Sequence, residues 1–165
     1  MEKLICNITS YLHYLNKECR LNVSVHFSGD ALCRLPEYAL VNLLAYNSHQ
    51  NPYCMAVKSS RHTLCRQSQR DIRKSCKKGE GFCRTCHAGV SEYIYPICMQ
   101  SEVIGFAAAS GYRGCSNSAN IIDNKLWSDY LSEEAIPIML CETLLPPLCM
   151  MIECLFTKFT TDSKS

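Results

Sequence analysis

Apolar positions along the chain change period several times, and each period predicts an element. Leu4, Ile8, Tyr11, Leu12 and Leu15 recur at intervals of three and four, which predicts an amphipathic helix. The stretch Arg20 to Phe27 then alternates polar and apolar residues before Ser28-Gly29-Asp30, the pattern of a strand closed by a turn. A second helix is predicted from Pro36, whose fixed φ suits a first helical turn, with Tyr38, Leu40, Val41, Leu44 and Ala45 on its apolar side. It should end by Asn51-Pro52, because a residue before proline is driven out of helical geometry. A short helical piece is expected from Tyr53. From Arg61 to Lys78 the chain lacks Gly and Pro and carries Leu64, Cys65, Ser68, Ile72 and Cys76 at helical spacing. Arg66, Arg70, Arg73, Lys74 and Lys77 lie on the opposite face, and Gly79 supplies a stop.

Beyond Gly79-Glu80-Gly81 the pattern becomes short apolar runs separated by turn residues: Phe82 to His87, Val90 to Cys98 and Val103 to Ser110. These predict an antiparallel meander turning near Ala88-Gly89 and Gln100-Ser101. Gly111 to Ser118 is polar and is expected to be an exposed loop; Ser132-Glu133-Glu134-Ala135 is a candidate helix start. A last helix is predicted from Pro146-Pro147 with Leu148, Met151, Ile152, Leu155, Phe156 and Phe159 on one stripe. Residues 161–165 form a polar tail, leaving residues 1–160 as a single domain.

Composition adds a chemical question. Thirteen of the 165 residues are cysteine, a density that would suggest a disulfide scaffold in a short secreted chain. The N-terminus has no long apolar run followed by a small-residue cleavage site, so the expectation is a cytoplasmic protein with reduced thiols serving as small core hydrophobes. The most apolar stretch, Leu144 to Phe156, is broken by two prolines and Glu153 and is too short to span a bilayer, so no membrane association is expected. The whole chain carries only +2. Between Lys58 and Arg84, however, nine Lys or Arg face only Asp71 and Glu80, which predicts a basic surface on the long helix. That surface suits a solvated face or a phosphate or acidic partner. No helix-turn-helix or other recognised module is present, so base-specific DNA binding by this chain is not expected.

The densest chemical constellation is Cys54, Cys65 and Cys76 followed by Cys83-Arg84-Thr85-Cys86-His87. Cys-x-x-Cys-His is the attachment pattern of c-type haem, but that chemistry takes place outside the cytoplasm. Zinc is the alternative, with Cys83, Cys86, His87 and either Cys65 or Cys76 as a tetrahedral set, although a second close cysteine pair is missing. A thioredoxin-type role would place the pair at a helix N-terminus rather than on the predicted strand. No G-x-S-x-G, P-loop, G-x-G-x-x-G or H-E-x-x-H occurs, so a non-enzymatic protein without a cofactor is expected.

Read together, Asn51-Pro52-Tyr53-Cys54, Cys65-Arg66-Gln67-Ser68, Cys86-His87-Ala88-Gly89-Val90, Tyr95-Pro96-Ile97 and Val103-Ile104-Gly105-Phe106 resemble the PocR sensory domain family, over roughly Ile5 to Ser110. The resemblance implies an α+β fold, a PAS/GAF-like antiparallel sheet flanked by helices. It also implies sensing of small molecules such as diols or other hydrocarbon derivatives, in a domain often placed before AraC-type DNA-binding or signalling domains. Such a sheet can leave one mostly apolar cavity with a few polar groups. Its candidate lining residues are Phe27, Tyr53, Cys54, Cys65, Cys86, His87, Tyr95 and Phe106, with His87 as the polar handle. The expected partners are a small organic ligand and an output domain or partner protein. Leu4, Ile8, Leu12 and Leu15 with Leu148, Ile152, Leu155 and Phe159 offer either a homodimer seam or a contact inside the domain.

Overall fold

The computed structural model describes residues 1–114 and 118–162. Four strands, β1 (Val23–Phe27), β2 (Phe82–Thr85), β3 (Val90–Met99) and β4 (Glu102–Arg113), form one antiparallel sheet in the order β1-β4-β3-β2. Six α-helices accompany it among the described residues: α1 (Glu2–Lys17), the single turn α2 (Gly29–Leu32), α3 (Glu37–Leu44), α4 (Pro52–Ser75), α5 (Asn124–Tyr130) and α6 (Ile138–Asp162). This is an α+β fold in which helices flank the sheet.

The parity of each strand decides which core it feeds. On one face Val23, Val25 and Phe27 of β1, Tyr93 and Ile97 of β3 and Ala107 and Ala109 of β4 pack with Ile8, Leu12 and Leu15 of α1 and Leu145, Leu148, Ile152 and Phe156 of α6. The other face turns Ile94, Phe106 and Ala108 toward Ile72 of α4. Helices on both faces explain why β1 is buried at every position and β4 reads as a nearly continuous apolar run. At Ile104 the ladder shifts, Ile97 pairing with Gly105 but Cys98 with Val103, so one extra β4 residue forms a bulge. Beside it Gly105 runs so close to β1 that a Cβ would collide with the His26 carbonyl.

Helix α4 begins where Asn51 caps it, its side-chain oxygen accepting from Tyr53 N at 2.9 Å with Pro52 in the first turn. The two helical pieces expected here are found end to end within α4, separated by a kink at Arg61, which takes the non-helical angles φ −136°, ψ 37°. The helix stops at Ser75 rather than Lys78, and Gly79, at φ 76°, serves the tight turn that pairs Lys77 with Glu80.

Several expectations are corrected. Gly111, Tyr112 and Arg113 belong to β4 and are largely buried, because Arg113 N donates to Ser132 O and Ser132 N to Gly111 O; Cys115 to Asn117 of the expected loop lie outside the described residues. Ser132 starts no helix. Its hydroxyl closes a local turn on Glu134 N, and the helix of this region, α5, comes earlier with Asp123 as its cap. The last helix starts at Ile138, not Pro146, and continues through Asp162. Both prolines are carried inside α6, where the Tyr11 hydroxyl donates to the Leu144 carbonyl on the turn just before them. Ile138 to Thr160 is consequently long and apolar enough to cross a membrane, unlike the shorter run assumed from the sequence. One stripe of it nevertheless forms the core against β3 and α1. Of the two uses open to the terminal stripes, the structure has the internal one: Ile8, Leu12, Leu15, Leu148, Ile152 and Leu155 are all fully buried within the chain.

Candidate functional site

Between α4 and its face of the sheet lies a cleft of about 270 Å³. Its apolar lining includes Val57 and Ile72 of α4, Val90 of β3 and Phe106 of β4. Three thiols, Cys54, Cys65 and Cys86, border it, and so do four of the chain's five histidines, His26, His49, His62 and His87. Glu92 is the only carboxylate among the lining residues.

The turn Cys86-His87-Ala88-Gly89 is built to present His87. Gly89 N donates to Cys86 O at 2.9 Å, and Gly89 adopts φ 85°, a left-handed conformation that favours glycine. The Cys86 sulfur accepts from Ala88 N at 3.4 Å, so this thiol is spent on the turn itself. Behind the turn, fully buried Tyr53 donates its hydroxyl to Ala88 O at 2.9 Å and accepts from Ile122 N at 3.3 Å, tying α4, the β2–β3 turn and the segment before α5 together. Trp127 packs edge-on against its ring at 5.3 Å between centroids.

Cys65 Sγ lies 3.3 Å from His87 Nε2. Burial raises the thiol against an opposing pull from Lys58, with Glu92 adding to the rise, and burial together with Arg61 and Arg84 lowers the imidazole. Both groups thus favour their neutral forms, and the imidazole tautomer decides whether Sγ or Nε2 donates; the other ring nitrogen is Nδ1. That nitrogen has no hydrogen-bond partner. Burial, with Cys86, Glu92 and Cys65 nearby, pushes Cys54 up to about 12.

His26 comes from the polar side of β1. Its ring stacks on Phe106 at 4.8 Å and meets His49 edge-on at 5.3 Å, while Nε2 shares a 2.8 Å hydrogen bond with Ser24 Oγ. Burial, then His49, Lys58 and Arg73, hold it well below the usual imidazole range. Glu92, 4% exposed, faces Arg84 at 3.8 Å and His49 at 4.0 Å, beyond hydrogen-bond reach. Arg84 itself is committed to Ser68, with contacts of 2.8 Å to Oγ and 3.3 Å to the carbonyl. The buried atoms His26 Nδ1, His49 Nε2, His87 Nδ1 and Glu92 Oε2 therefore all lack hydrogen bonds, and all four side chains line this one cleft.

The structure brings Cys54, Cys65, Cys86, His87 and Phe106 to the cleft, with Tyr53 supporting it from behind. Phe27 and Tyr95 are elsewhere. They have the opposite strand parity and pack into the α1/α6 core, Phe27 with its ring 5.5 Å from Phe156. The zinc set is dispersed. Cys83 is exposed and paired with Tyr93, whose side chain faces the α1/α6 core, and Cys76 packs with Ile94 and Phe106. Among the described residues no three His, Cys, Asp or Glu side chains are arranged to hold a metal ion. Sequence reading missed His26, His49 and Glu92. Only His26 carried a signal, as the polar partner of Ser24 on a strand whose alternate residues are Val23, Val25 and Phe27.

Comparison with known proteins finds no matching family model, curated protein or solved structure.

Proposed function

We propose that this chain is a sensory domain of the PAS/GAF-like kind that binds a small organic molecule in the α4–sheet cleft and passes the occupied state to an output domain or partner protein. The observation that carries the reading is the set of buried polar atoms in that cleft without hydrogen bonds, beside the apolar Val57, Ile72, Val90 and Phe106. Buried polar groups are almost always paired, and leaving one unmade costs about 1–3 kcal/mol, so four in one cavity favour a ligand or ordered water that completes them. A few convergent polar groups in an apolar hollow are the ordinary make-up of a small-molecule site. The likeness to PocR domains supports the same reading, since its Cys-His-Ala-Gly element is the turn that carries His87.

The thiol–imidazole pair argues for binding rather than turnover. A raised thiol beside a lowered imidazole stays neutral, whereas nucleophilic catalysis needs the thiolate. Signalling requires that the ligand bind one arrangement of the chain better than another. The kink at Arg61 lies within α4, the cleft's outer wall, where closing on a ligand would be transmitted to Lys58 and His62 on either side.

A thermal-shift screen of short alcohols, diols, organic acids and amines tests this reading, with stabilisation of roughly 3 kcal/mol expected at a hundredfold excess over Kd. His87→Ala should abolish the response. Stabilisation that survives both His87→Ala and Phe106→Ala, or a screen in which nothing stabilises, would refute it.

A further inference from the structure

The charges around the cleft are asymmetric in a way that selects among small molecules. Lys58 and Arg66 both line it and both are exposed on α4, with His62 between them. All three line the mouth of the hollow, Lys58 before the break at Arg61 and His62 and Arg66 one turn apart after it. Neither Lys58 nor Arg66 makes an ion pair among the described residues. The one lining carboxylate, Glu92, is at the buried end and already faces Arg84 and His49. Its Oε2 is an acceptor without a hydrogen bond, sharing the cleft with the equally unpartnered His26 Nδ1. Between the two ends lie Val57, Ile72 and Phe106.

We infer that the cleft selects a small hydroxylated organic anion, its carboxylate at Lys58 and Arg66, its carbon chain against Val57, Ile72 and Phe106, and its hydroxyl donating to Glu92. The inference rests on the sensory reading above and narrows the ligand class from neutral diols to hydroxycarboxylates. Size agrees: about 270 Å³ lies just below the ~300 Å³ at which pockets for larger organic ligands begin. Electrostatics agrees as well, because Lys58 and Arg73 bear on His26, and Arg61 and Arg84 on His87, an excess of positive charge that a bound anion would relieve. A carboxylate-bearing ligand without a hydroxyl would leave Glu92 Oε2 unpartnered inside, and a diol would leave the mouth cations unused.

Matched probes separate the contributions: 3-hydroxybutyrate, 1,3-butanediol and butyrate, titrated by calorimetry into the full chain and into Lys58→Ala/Arg66→Ala and Glu92→Gln. The hydroxy acid should bind at least about tenfold more tightly than either comparison compound, the size of effect expected from one good polar contact. It should also weaken as salt is raised, since its contact with the exposed cations is screened. The double variant should lose that advantage over the diol, and its substitutions at exposed positions leave the fold intact. Glu92→Gln should erase the preference for the hydroxy acid over butyrate. Diol binding equal to hydroxy-acid binding, or hydroxy-acid affinity indifferent to the double variant, would overturn the anion assignment while the sensory reading stands. No binding by any of the three at concentrations on the order of 10 mM would overturn the hydroxycarboxylate assignment, whereas the sensory reading falls only if the wider thermal-shift screen is silent too.

Discussion

Tyr53→Phe removes one oxygen from the middle of the protein and leaves the ring's shape and packing unchanged. The hydroxyl donates to the carbonyl of Ala88, a residue 1% exposed, and accepts from the partly buried Ile122 N–H. With the oxygen gone, the carbonyl is left buried without that donor, at a cost of about 1–3 kcal/mol, and the longer bond to Ile122 contributes near the lower end of the same range. No cavity term enters, because no carbon is deleted. The expected loss is about 2 kcal/mol, or roughly 4–8 °C in Tm for a chain of this size. Urea unfolding followed by far-UV circular dichroism measures it; the midpoint should fall while the slope with denaturant stays constant, since the surface exposed on unfolding hardly changes. A loss below about 0.5 kcal/mol would show that water or the segment before α5 readily replaces the hydroxyl, and the strut argument would fail.

Other consequences are equally accessible. His26 is held below its unfolded value near 6.5, so the unfolded chain takes up the proton first; stability should be complete above that pH and fall as pH drops below it, by up to about 1.4 kcal/mol per pH unit, until the folded group titrates. His87 acts in the same direction, and a stability profile flat from pH 7.5 to 5 would contradict both shifts. Gly105→Ala should cost about 1–3 kcal/mol, because its Cβ meets the His26 carbonyl and β1 must move; an unchanged melting temperature would refute that close approach. Leu12→Ala, in the α1/α6 core, should cost about 2–5 kcal/mol, and Cys83→Ser, at an exposed strand position, under about 0.5 kcal/mol. Equal melting of those two variants would contradict the assignment of the core face.

Local signals carried the secondary structure where the local physics was unopposed. The helical period of α1, the helical piece that follows Asn51-Pro52 and the Gln100-Ser101 turn are all found where the sequence puts them, with Gln100 at φ 57°. Where tertiary contacts competed, the same rules misled. Pro146-Pro147 reads as a helix start, yet the apolar stripe from Cys141 to Phe156 is long enough to hold both prolines within one helix. Gly111 to Arg113 reads as a loop, but the backbone exchange with Ser132 keeps it in the sheet.

The site divides along the same line. Sequence alone determined the turn that carries His87, the basic helix beside it, and the strand parity that separates Ser24 and His26 from Val23, Val25 and Phe27, because each depends on residues within a few positions of one another. It did not determine which face of the sheet α4 would cover. That choice placed Phe27 and Tyr95 in the opposite core, dispersed Cys76 and Cys83, and gathered His26, His49 and Glu92 from three distant segments into one cleft. Such meetings are decided by how two apolar helix faces and two apolar sheet faces are buried at once, an energy that no local stretch of sequence contains.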